Sequence, residues 1–89
     1  MYEIRFSEKY EKISKKFFKK HQNLKMKYTK TILLLQTNPY HPSLRLHKQG
    51  ALSEYYSISI DMEYRIIIDF IIVDDVIYLI DIGSHDEVY

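Results

Sequence analysis

Three segments in the second half of the chain are rich in β-branched and aromatic residues, which favour β-strands. They span 55–61, 64–71 and 76–82, and turn residues stand near 61–63 and 73–75. Because alternate residues of a strand point to opposite faces of a sheet, the pattern predicts an antiparallel meander with one apolar face. The chain has only 89 residues, so its other half has to cover that face.

The two faces of the predicted meander differ in chemistry. The apolar face carries the even-numbered residues Tyr56, Ile58, Ile60, Tyr64, Ile66, Ile68, Phe70, Val76, Tyr78, Ile80 and Ile82. The opposite face is mixed, and Arg65 lies on it. We therefore expect the helices to pack on the apolar face and Arg65 to border an open groove.

The first half of the chain predicts one strand and two helices. Residues 2–6 alternate as a strand does, and Ser7 is a suitable N-cap for a helix that follows. A second helix is predicted from about 23 to 37, where an Asn-Pro pair ends it, and a short extended segment is predicted at 44–48. The expected fold is α+β: a single domain over 1–89 with an N-terminal strand and a two-helix hairpin packed on the antiparallel sheet.

Charge is distributed very unevenly along the chain. Residues 1–48 carry ten lysines and two arginines against three glutamates, a net charge of +9, whereas residues 49–89 carry one arginine against nine acidic residues, a net charge of −8. A basic half of this kind favours nucleic acid phosphate or an acidic protein as a partner. The alternative is that the lysines only solvate the two amphipathic helices.

Composition excludes several classes of protein. The chain has no cysteine, so neither disulfides nor a thiolate metal site are available. Its longest apolar stretch, 66–73, is interrupted by Asp69 and is too short to span a bilayer, and the N-terminus lacks the apolar region of a signal peptide. We expect a soluble cytoplasmic protein.

Three segments carry a resemblance to a known family. They are Asp61–Ile67 with its Tyr-Arg pair, Asp81–Tyr89 with its Gly-Ser-His sequence, and Pro42–His47 followed by Gly50. In this order they resemble the RelE superfamily of bacterial toxins, especially its YafQ-like and YoeB-like branches. The similarity covers essentially the whole chain.

The resemblance implies an activity and its partners. Such a toxin is a ribosome-dependent endoribonuclease that cuts mRNA and is silenced by an antitoxin with which it forms a hetero-oligomer. The 2′-hydroxyl of a ribose attacks the adjacent phosphorus, which leaves a 2′,3′-cyclic phosphate and a 5′-hydroxyl without a metal or other cofactor. The site then needs a base, an acid and a group that stabilises charge on the phosphate.

The resemblance also implies which residues act. Arg65 corresponds to the phosphate-binding arginine of the family, and its planar fork suits phosphate oxygens. His85 and His47 are the candidate acid and base, in either order, because imidazole exchanges protons near neutral pH. Glu63 is a candidate for orienting a histidine or accepting the 2′ proton, and Tyr89 for stacking on a base or binding the phosphate.

Further residues are candidates for RNA binding. Tyr55 and Tyr64 could stack on a base, although core packing is the alternative for at least one of them. The helical lysines would grip ribosomal RNA; they are Lys12, Lys15, Lys16, Lys19, Lys20, Lys25 and Lys27.

The chain also departs from the family pattern. Ser57 and Ser59 stand where relatives place lysines or a histidine, and Asp81 stands where YafQ-like proteins place an arginine. Asp81, like Asp69, could instead pair with Arg65 on the mixed face. These departures leave two rival hypotheses open: a ParE-like toxin that binds DNA gyrase without catalysis, and a degenerate homologue that only binds its antitoxin.

Overall fold

A computed structural model describes residues 1–71 and 74–88 of the chain. Within these ranges the elements are β1 (Glu3–Phe6), α1 (Glu8–Lys20), α2 (Lys25–Thr37), β2 (His47–Lys48), β3 (Tyr56–Ser59), β4 (Tyr64–Ile71), β5 (Val76–Ser84) and α3 (His85–Val88). Short 3-10 turns at Gln22–Leu24 and Pro42–Leu44 precede α2 and β2. Among the described residues, no helix is long and apolar enough to cross a membrane.

The strands form one sheet in the order β1-β5-β4-β3-β2. The meander β3-β4-β5 is antiparallel, as predicted, and β2 adds to it at one edge. At the other edge β1 pairs with β5 in parallel, from Glu3 opposite Val76 to Phe6 opposite Leu79. The expected α+β architecture is confirmed.

Local sequence signals explain where the helices begin and end. The Ser7 hydroxyl accepts a hydrogen bond from the Tyr10 amide at 3.2 Å, which confirms the predicted N-cap of α1. Glu8 and Glu11 lie in the first turn, where the helix dipole favours negative charge. The end of α2 at Thr37 also agrees with the prediction, because a proline disfavours helical backbone at the residue before it, which here is Asn38.

The core lies between the two long helices and the sheet. It contains Tyr10 and Phe17 of α1, Leu35 of α2, and a layer of isoleucines and a leucine from the strands: Ile58, Ile66, Ile68, Ile77, Leu79 and Ile82. Leu35 and four of these strand residues are fully buried. The apolar faces predicted for β3 and β4 are therefore confirmed as the faces that receive the helices.

The apolar face predicted for β5 is wrong over its first part. Ile77 and Leu79 face the core there instead of Val76, Tyr78 and Ile80. The register explains the difference, because Ile67 pairs with Asp81 while its neighbour Ile68 pairs with Leu79. Ile80 is therefore an extra residue in β5 and forms a β-bulge. On the N-terminal side of this bulge, the odd-numbered residues of β5 face the core.

The segment before β2 is less extended than predicted. Instead of a strand from 44 to 48, a 3-10 turn at Pro42–Leu44 is followed by only two strand residues. Proline suits the first turn of a helix, and the His41 ring caps it by accepting from the Ser43 amide at 3.2 Å. Arg45 then adopts a left-handed conformation with φ 51°, which turns the chain into β2.

Candidate active site

Arg65 lies on the central strand β4, opposite Ser59 of β3 and Gly83 of β5. Its side chain is half-buried and its Nη1 donates a hydrogen bond to the Ser57 hydroxyl at 3.4 Å. Over residues 1–71 and 74–88, the ion pairs are Arg5–Glu3, Lys15–Glu11 and His85–Asp86. The alternative pairing of Arg65 with Asp69 or Asp81 is therefore not seen.

His47 lies on the edge strand β2, opposite Ser57 of β3. Its Nδ1 is 2.8 Å from the carbonyl oxygen of Arg45. Because a carbonyl can only accept, Nδ1 carries the proton in this contact, and in neutral His47 the Nε2 atom is then an acceptor. The left-handed backbone of Arg45 places that carbonyl beside the ring.

Ser57 joins these two residues. Its side chain is fully buried, and its hydroxyl lies 3.3 Å from Nε2 of His47 and 3.4 Å from Nη1 of Arg65. The sequence interpretation treated this serine as a lost cation and missed the contact. Strand alternation had placed Ser57 and Arg65 on one face, but the neighbouring position of His47 depends on the β2–β3 pairing.

His85 is the first residue of α3, and a capping box fixes the start of that helix. The Ser84 amide donates to Oε1 of Glu87 at 3.0 Å, and the Glu87 amide donates to the Ser84 hydroxyl at 3.2 Å. Hydrogen bonding to the Ser84 amide, and then to its side chain, lowers the pKa of the Glu87 carboxyl. The Ser-x-x-Glu spacing is visible in the sequence but was missed.

A backbone hydrogen bond also fixes His85 beside the start of β4. Its amide donates to the Glu63 carbonyl at 3.0 Å, which extends the β4–β5 ladder by one bond beyond the Tyr64–Ser84 pair. Its exposed ring lies 3.8 Å from the Asp86 carboxylate. Along the ladder, His85 is thus two residues from Gly83, the partner of Arg65.

Gly83 allows α3 to lie close to the sheet. A methyl group at this position would lie 3.2 Å from Cγ1 of Val88 and 3.3 Å from Cβ of Glu87, both tighter than ordinary contacts. Val88 is buried. The absence of a side chain at Gly83 is therefore what lets α3 fold back over β5 beside Arg65.

Gln49 connects the two histidine-bearing elements. It follows β2 directly, and its side-chain amide donates to the Val88 carbonyl of α3 at 2.5 Å. Its own backbone amide donates to the Tyr55 carbonyl at 3.0 Å. No sequence signal had pointed to Gln49, because the contact joins residues 39 positions apart.

The remaining acidic candidates lie at the margin of this group. Glu63 is exposed in the turn between β3 and β4, where Oδ1 of Asp61 accepts from the amides of Glu63 and Tyr64, each at 2.9 Å. Asp81 is bonded to the next amide, that of Ile82, at 2.8 Å. Tyr89 lies outside the described residues.

The two tyrosines proposed for stacking occupy different places. Tyr64 packs on the helical side, with ring centroids 5.3 Å from Phe17 and 4.7 Å from His21. Tyr55 is 38 % exposed just before β3. Core packing thus accounts for Tyr64, whereas Tyr55 presents part of its ring to solvent.

The seven candidate lysines are all exposed, and six of them line surface grooves. Lys15, Lys19 and Lys25 line a groove of about 330 Å³ between α1 and α2. Lys16 and Lys20 line a second groove with Glu87, and Lys27 lines a third with Lys30. Lys12 lies on the exposed side of α1.

Solved structures show which fold this is. A metal-bound toxin from Helicobacter pylori superimposes with a TM-score of 0.79 at 24 % identity, over 100 % of both chains. The DinJ-YafQ toxin-antitoxin complex of Escherichia coli gives 0.70 at 24 % identity, over 99 % of this chain and 97 % of that one. The chain has the fold of these toxins.

A third structure with this toxin fold is also a toxin–antitoxin complex. The heterotetrameric YoeB-YefM toxin-antitoxin complex of Staphylococcus aureus matches with a TM-score of 0.68 at 20 % identity, over 96 % of this chain and 98 % of that one. No family model and no curated protein matches the sequence. The fold expected from the resemblance to RelE-like toxins is confirmed by geometry.

Metal binding is a separate question, since one of these toxins binds a metal. Among residues 1–71 and 74–88 of this chain, no group of three or more histidine, cysteine or carboxylate side chains is placed to hold a metal ion.

Proposed function

We propose that this chain is the toxin of a toxin–antitoxin pair and a ribosome-dependent endoribonuclease that cleaves mRNA. The fold it shares with YafQ and YoeB toxins supports the coarser part of the proposal. The contact network of His47, Ser57 and Arg65 supports the chemistry, and it is the observation that carries the proposal. The contacts support a site that combines a proton acceptor, His47, with a permanent cation, Arg65.

The proposed reaction begins at His47. Nε2 of the neutral ring takes the proton of the ribose 2′-hydroxyl, and the freed oxygen attacks the adjacent phosphorus. Arg65 stabilises the negative charge that develops on the phosphate oxygens. The bond to the 5′-oxygen breaks as the 2′-oxygen bond forms, which leaves a 2′,3′-cyclic phosphate.

His85 is proposed to protonate the leaving 5′-oxygen. Its exposed ring at the start of α3 can exchange protons with solvent and with a substrate. The assignment of His47 as base and His85 as acid rests on the Arg45 carbonyl, which holds Nδ1 of His47 as a donor. Glu63 remains a candidate for orienting His85, whose amide is bonded to the Glu63 carbonyl, and Tyr55 and Tyr89 remain candidates for contacting bases.

Ribosomal RNA is proposed as the platform for the reaction. One arginine offers few contacts to mRNA, whereas the exposed lysines of α1 and α2 match the negative charge of RNA phosphates. The groove with Lys15, Lys19 and Lys25 also contains Phe18 and Gln22, which can stack on a base and donate hydrogen bonds. These lysines would bind ribosomal RNA while the candidate active site binds the mRNA.

An antitoxin is proposed as the second partner, in a hetero-oligomer. A cleft of about 370 Å³ between α2 and the β1 edge is lined mostly by apolar side chains, and Phe6 and Leu33 in it are 53 % and 55 % exposed. A neighbouring groove that also includes Thr29 contains Lys25 and Lys30. An amphipathic segment with an acidic face would complement this surface.

Primer extension tests the proposed activity. In cells that express the wild type, mRNA is expected to be cut only while it is translated, and His85→Ala should abolish the cuts. Because the His85 ring is exposed, the variant should keep the wild-type Tm. The absence of cuts in both proteins, together with inhibition of gyrase supercoiling, would instead support the ParE-like alternative.

A further inference from the structure

Gln49 contacts the far end of the chain, and the proposed chemistry gives this contact no role. Its side-chain amide donates to the Val88 carbonyl, 39 positions away, at 2.5 Å. A helix leaves its last carbonyls without partners inside the helix. Gln49 thus supplies a partner to the end of α3, while the capping box of Ser84 and Glu87 holds its start.

The end of α3 lies over the face of the sheet that carries Arg65. Arg65 and Gly83 stand opposite each other on neighbouring strands, so side chains at the two positions point to one face. A methyl group at Gly83 would lie 3.2 Å from Cγ1 of Val88. Since that methyl group would point to the face of Arg65, α3 folds back over this face, and Val88 is buried there.

Gln49 reaches the same face from the opposite edge of the sheet. His47 of β2 pairs with Ser57, whose hydroxyl contacts Arg65, so His47 belongs to this face. Gln49 is two positions further along, where the backbone still pairs with the β3 side, and alternation gives it the orientation of His47. In the order β5-β4-β3-β2, the contact with Val88 therefore joins α3 to β2 across β4 and β3. Because neighbouring strands are about 4.8 Å apart, β5 and β2 are separated by about 14 Å.

The two histidines proposed for catalysis belong to the elements that this contact joins. In an in-line displacement the attacking and leaving oxygens lie on opposite sides of the phosphorus, so the base and the acid approach from opposite sides. The strand order places Arg65 on β4, between His47 on β2 and His85, which follows β5. The separation of the base from the acid therefore depends on how α3 lies relative to β2.

We infer that Gln49 is a positioning residue that fixes α3, and with it His85, relative to His47 and Arg65. The catalytic part of this inference rests on the proposed function. Strand β2 has two residues and helix α3 has four, so each has few backbone hydrogen bonds of its own. A displacement of about 1 Å at a catalytic group can lower the rate about 10²-fold. A side-chain hydrogen bond between the two elements opposes such a displacement.

Gln49→Leu tests this role, with Gln36→Leu as the matched control. Leucine is similar in size to glutamine but cannot donate to Val88, and Gln36 is likewise half-buried but lies on α2. Gln49→Leu should lower kcat for cleavage of ribosome-bound mRNA by roughly tenfold and change KM by less than about threefold, because orientation and not binding is lost. Gln36→Leu should keep both constants within about twofold of the wild type. Wild-type or higher kcat in Gln49→Leu would overturn the inference.

Gln49→Glu separates the hydrogen bond from the shape of the side chain. A carboxylate only accepts, so at neutral pH this variant should resemble Gln49→Leu, whereas a protonated carboxyl can donate to the Val88 carbonyl. Relative to the wild type at the same pH, the ¹³C resonance of that carbonyl should be displaced in both variants at neutral pH. Only in Gln49→Glu should it return as the pH falls to about 4, where a glutamate is largely protonated. It should not be displaced in Gln36→Leu.

The carbonyl resonance does not need nuclease activity. An undisplaced Val88 resonance in Gln49→Leu, or no return in acid in Gln49→Glu, would overturn the inference. The Glu87 amide should exchange within about threefold of the wild-type rate in Gln49→Leu, because the capping box still holds α3. Faster exchange would mean that α3 unfolds, which would overturn a positioning role. If the wild type cleaves no mRNA, the proposed function fails, and the resonance alone decides whether Gln49 holds the end of α3.

Discussion

At the scale of single residues, the candidate site combines side chains that are proposed to take part in catalysis with side chains that contact them or connect their strands. Residue type and family resemblance could propose Arg65, His47 and His85 as candidates from the sequence. They could not select Ser57 or Gln49, because a serine or glutamine acquires its role only from what the fold places beside it. The structure shows those partners: His47 and Arg65 for Ser57, and the Val88 carbonyl for Gln49.

Substitution of Arg65 tests whether its guanidinium stabilises the charge that develops on the phosphate. Arg65→Gln should reduce kcat/KM for mRNA cleavage by about 10²- to 10³-fold, since one preorganised donor to a developing charge contributes this much in other enzymes. Arg5→Gln is the control, because Arg5 lies on β1 and pairs with Glu3 at 2.6 Å. Equal activity of the two variants in a ribosome cleavage assay would rule out phosphate stabilisation by Arg65.

Tyr10 gives a prediction about stability and pH. Its hydroxyl lies 2.9 Å from that of Tyr28, and burial raises its pKa above the usual value of 10.0. A raised folded-state pKa contributes stability that is complete below pH 10 and is lost as the pH rises above it. Tyr10→Phe should cost about 1 kcal/mol at neutral pH, yet its unfolding free energy should decline less steeply in alkali. Parallel curves from urea titrations would refute this.

At the scale of secondary structure, periodicity predicted the elements and failed at one position within β5. All five side chains of residues 76–80 are aliphatic or aromatic, so alternation alone could not tell which of them face the helices. The β-bulge opposite Ile67 decides this, and it depends on pairing with β4. Helix α3 was likewise not predicted, although its Ser-x-x-Glu capping box is visible in the sequence.

The capping box makes α3 sensitive to acid. The pKa of Glu87 is lowered from 4.5, so its charge stabilises the fold above that pH, and the contribution is lost as the pH falls through the folded-state value. Glu87→Gln should therefore have a lower Tm than the wild type at neutral pH and the same Tm in strong acid. The carboxylate is exposed, so the difference should be small. A difference in Tm that does not depend on pH would count against the capping role.

Gly83 tests whether α3 has to lie close to the sheet. Gly83→Ala would crowd Val88 and Glu87, so α3 should loosen and the unfolding free energy should fall by about 1–3 kcal/mol. Hydrogen exchange of the His85 amide, which is bonded to Glu63, should accelerate. Gly50→Ala is the matched control, because a methyl group there meets no atom within 4 Å. Unchanged exchange in Gly83→Ala would show that α3 does not need this contact.

At the scale of the whole molecule, charge separates the helices from the sheet. Residues 1–48, with net charge +9, form β1, the two long helices and β2, whereas residues 49–89, with net charge −8, form most of the sheet and α3. Composition could predict this asymmetry, but it could not show which lysines line the same groove. Packing of α1 against α2 determines which lysines lie together.

Ribosome binding should depend on where lysines are removed and not only on how many. Lys19→Gln/Lys25→Gln should weaken co-sedimentation with ribosomes by roughly tenfold and reduce its salt dependence, because two phosphate contacts are lost from one groove. Arg5→Gln/Lys9→Gln changes the net charge equally and should have a smaller effect. Equal losses in both variants would mean that the attraction is diffuse.

The chemical nature of the cleaved ends tests the central claim most directly. With purified ribosomes, mRNA and the wild-type chain, the upstream fragment should end in a 2′,3′-cyclic phosphate and the downstream fragment should begin with a 5′-hydroxyl. His47→Ala and Arg65→Gln should produce neither end. Fragments with a 3′-hydroxyl and a 5′-phosphate, or wild-type cleavage by either variant, would contradict the claim that His47 and Arg65 act together on one phosphate.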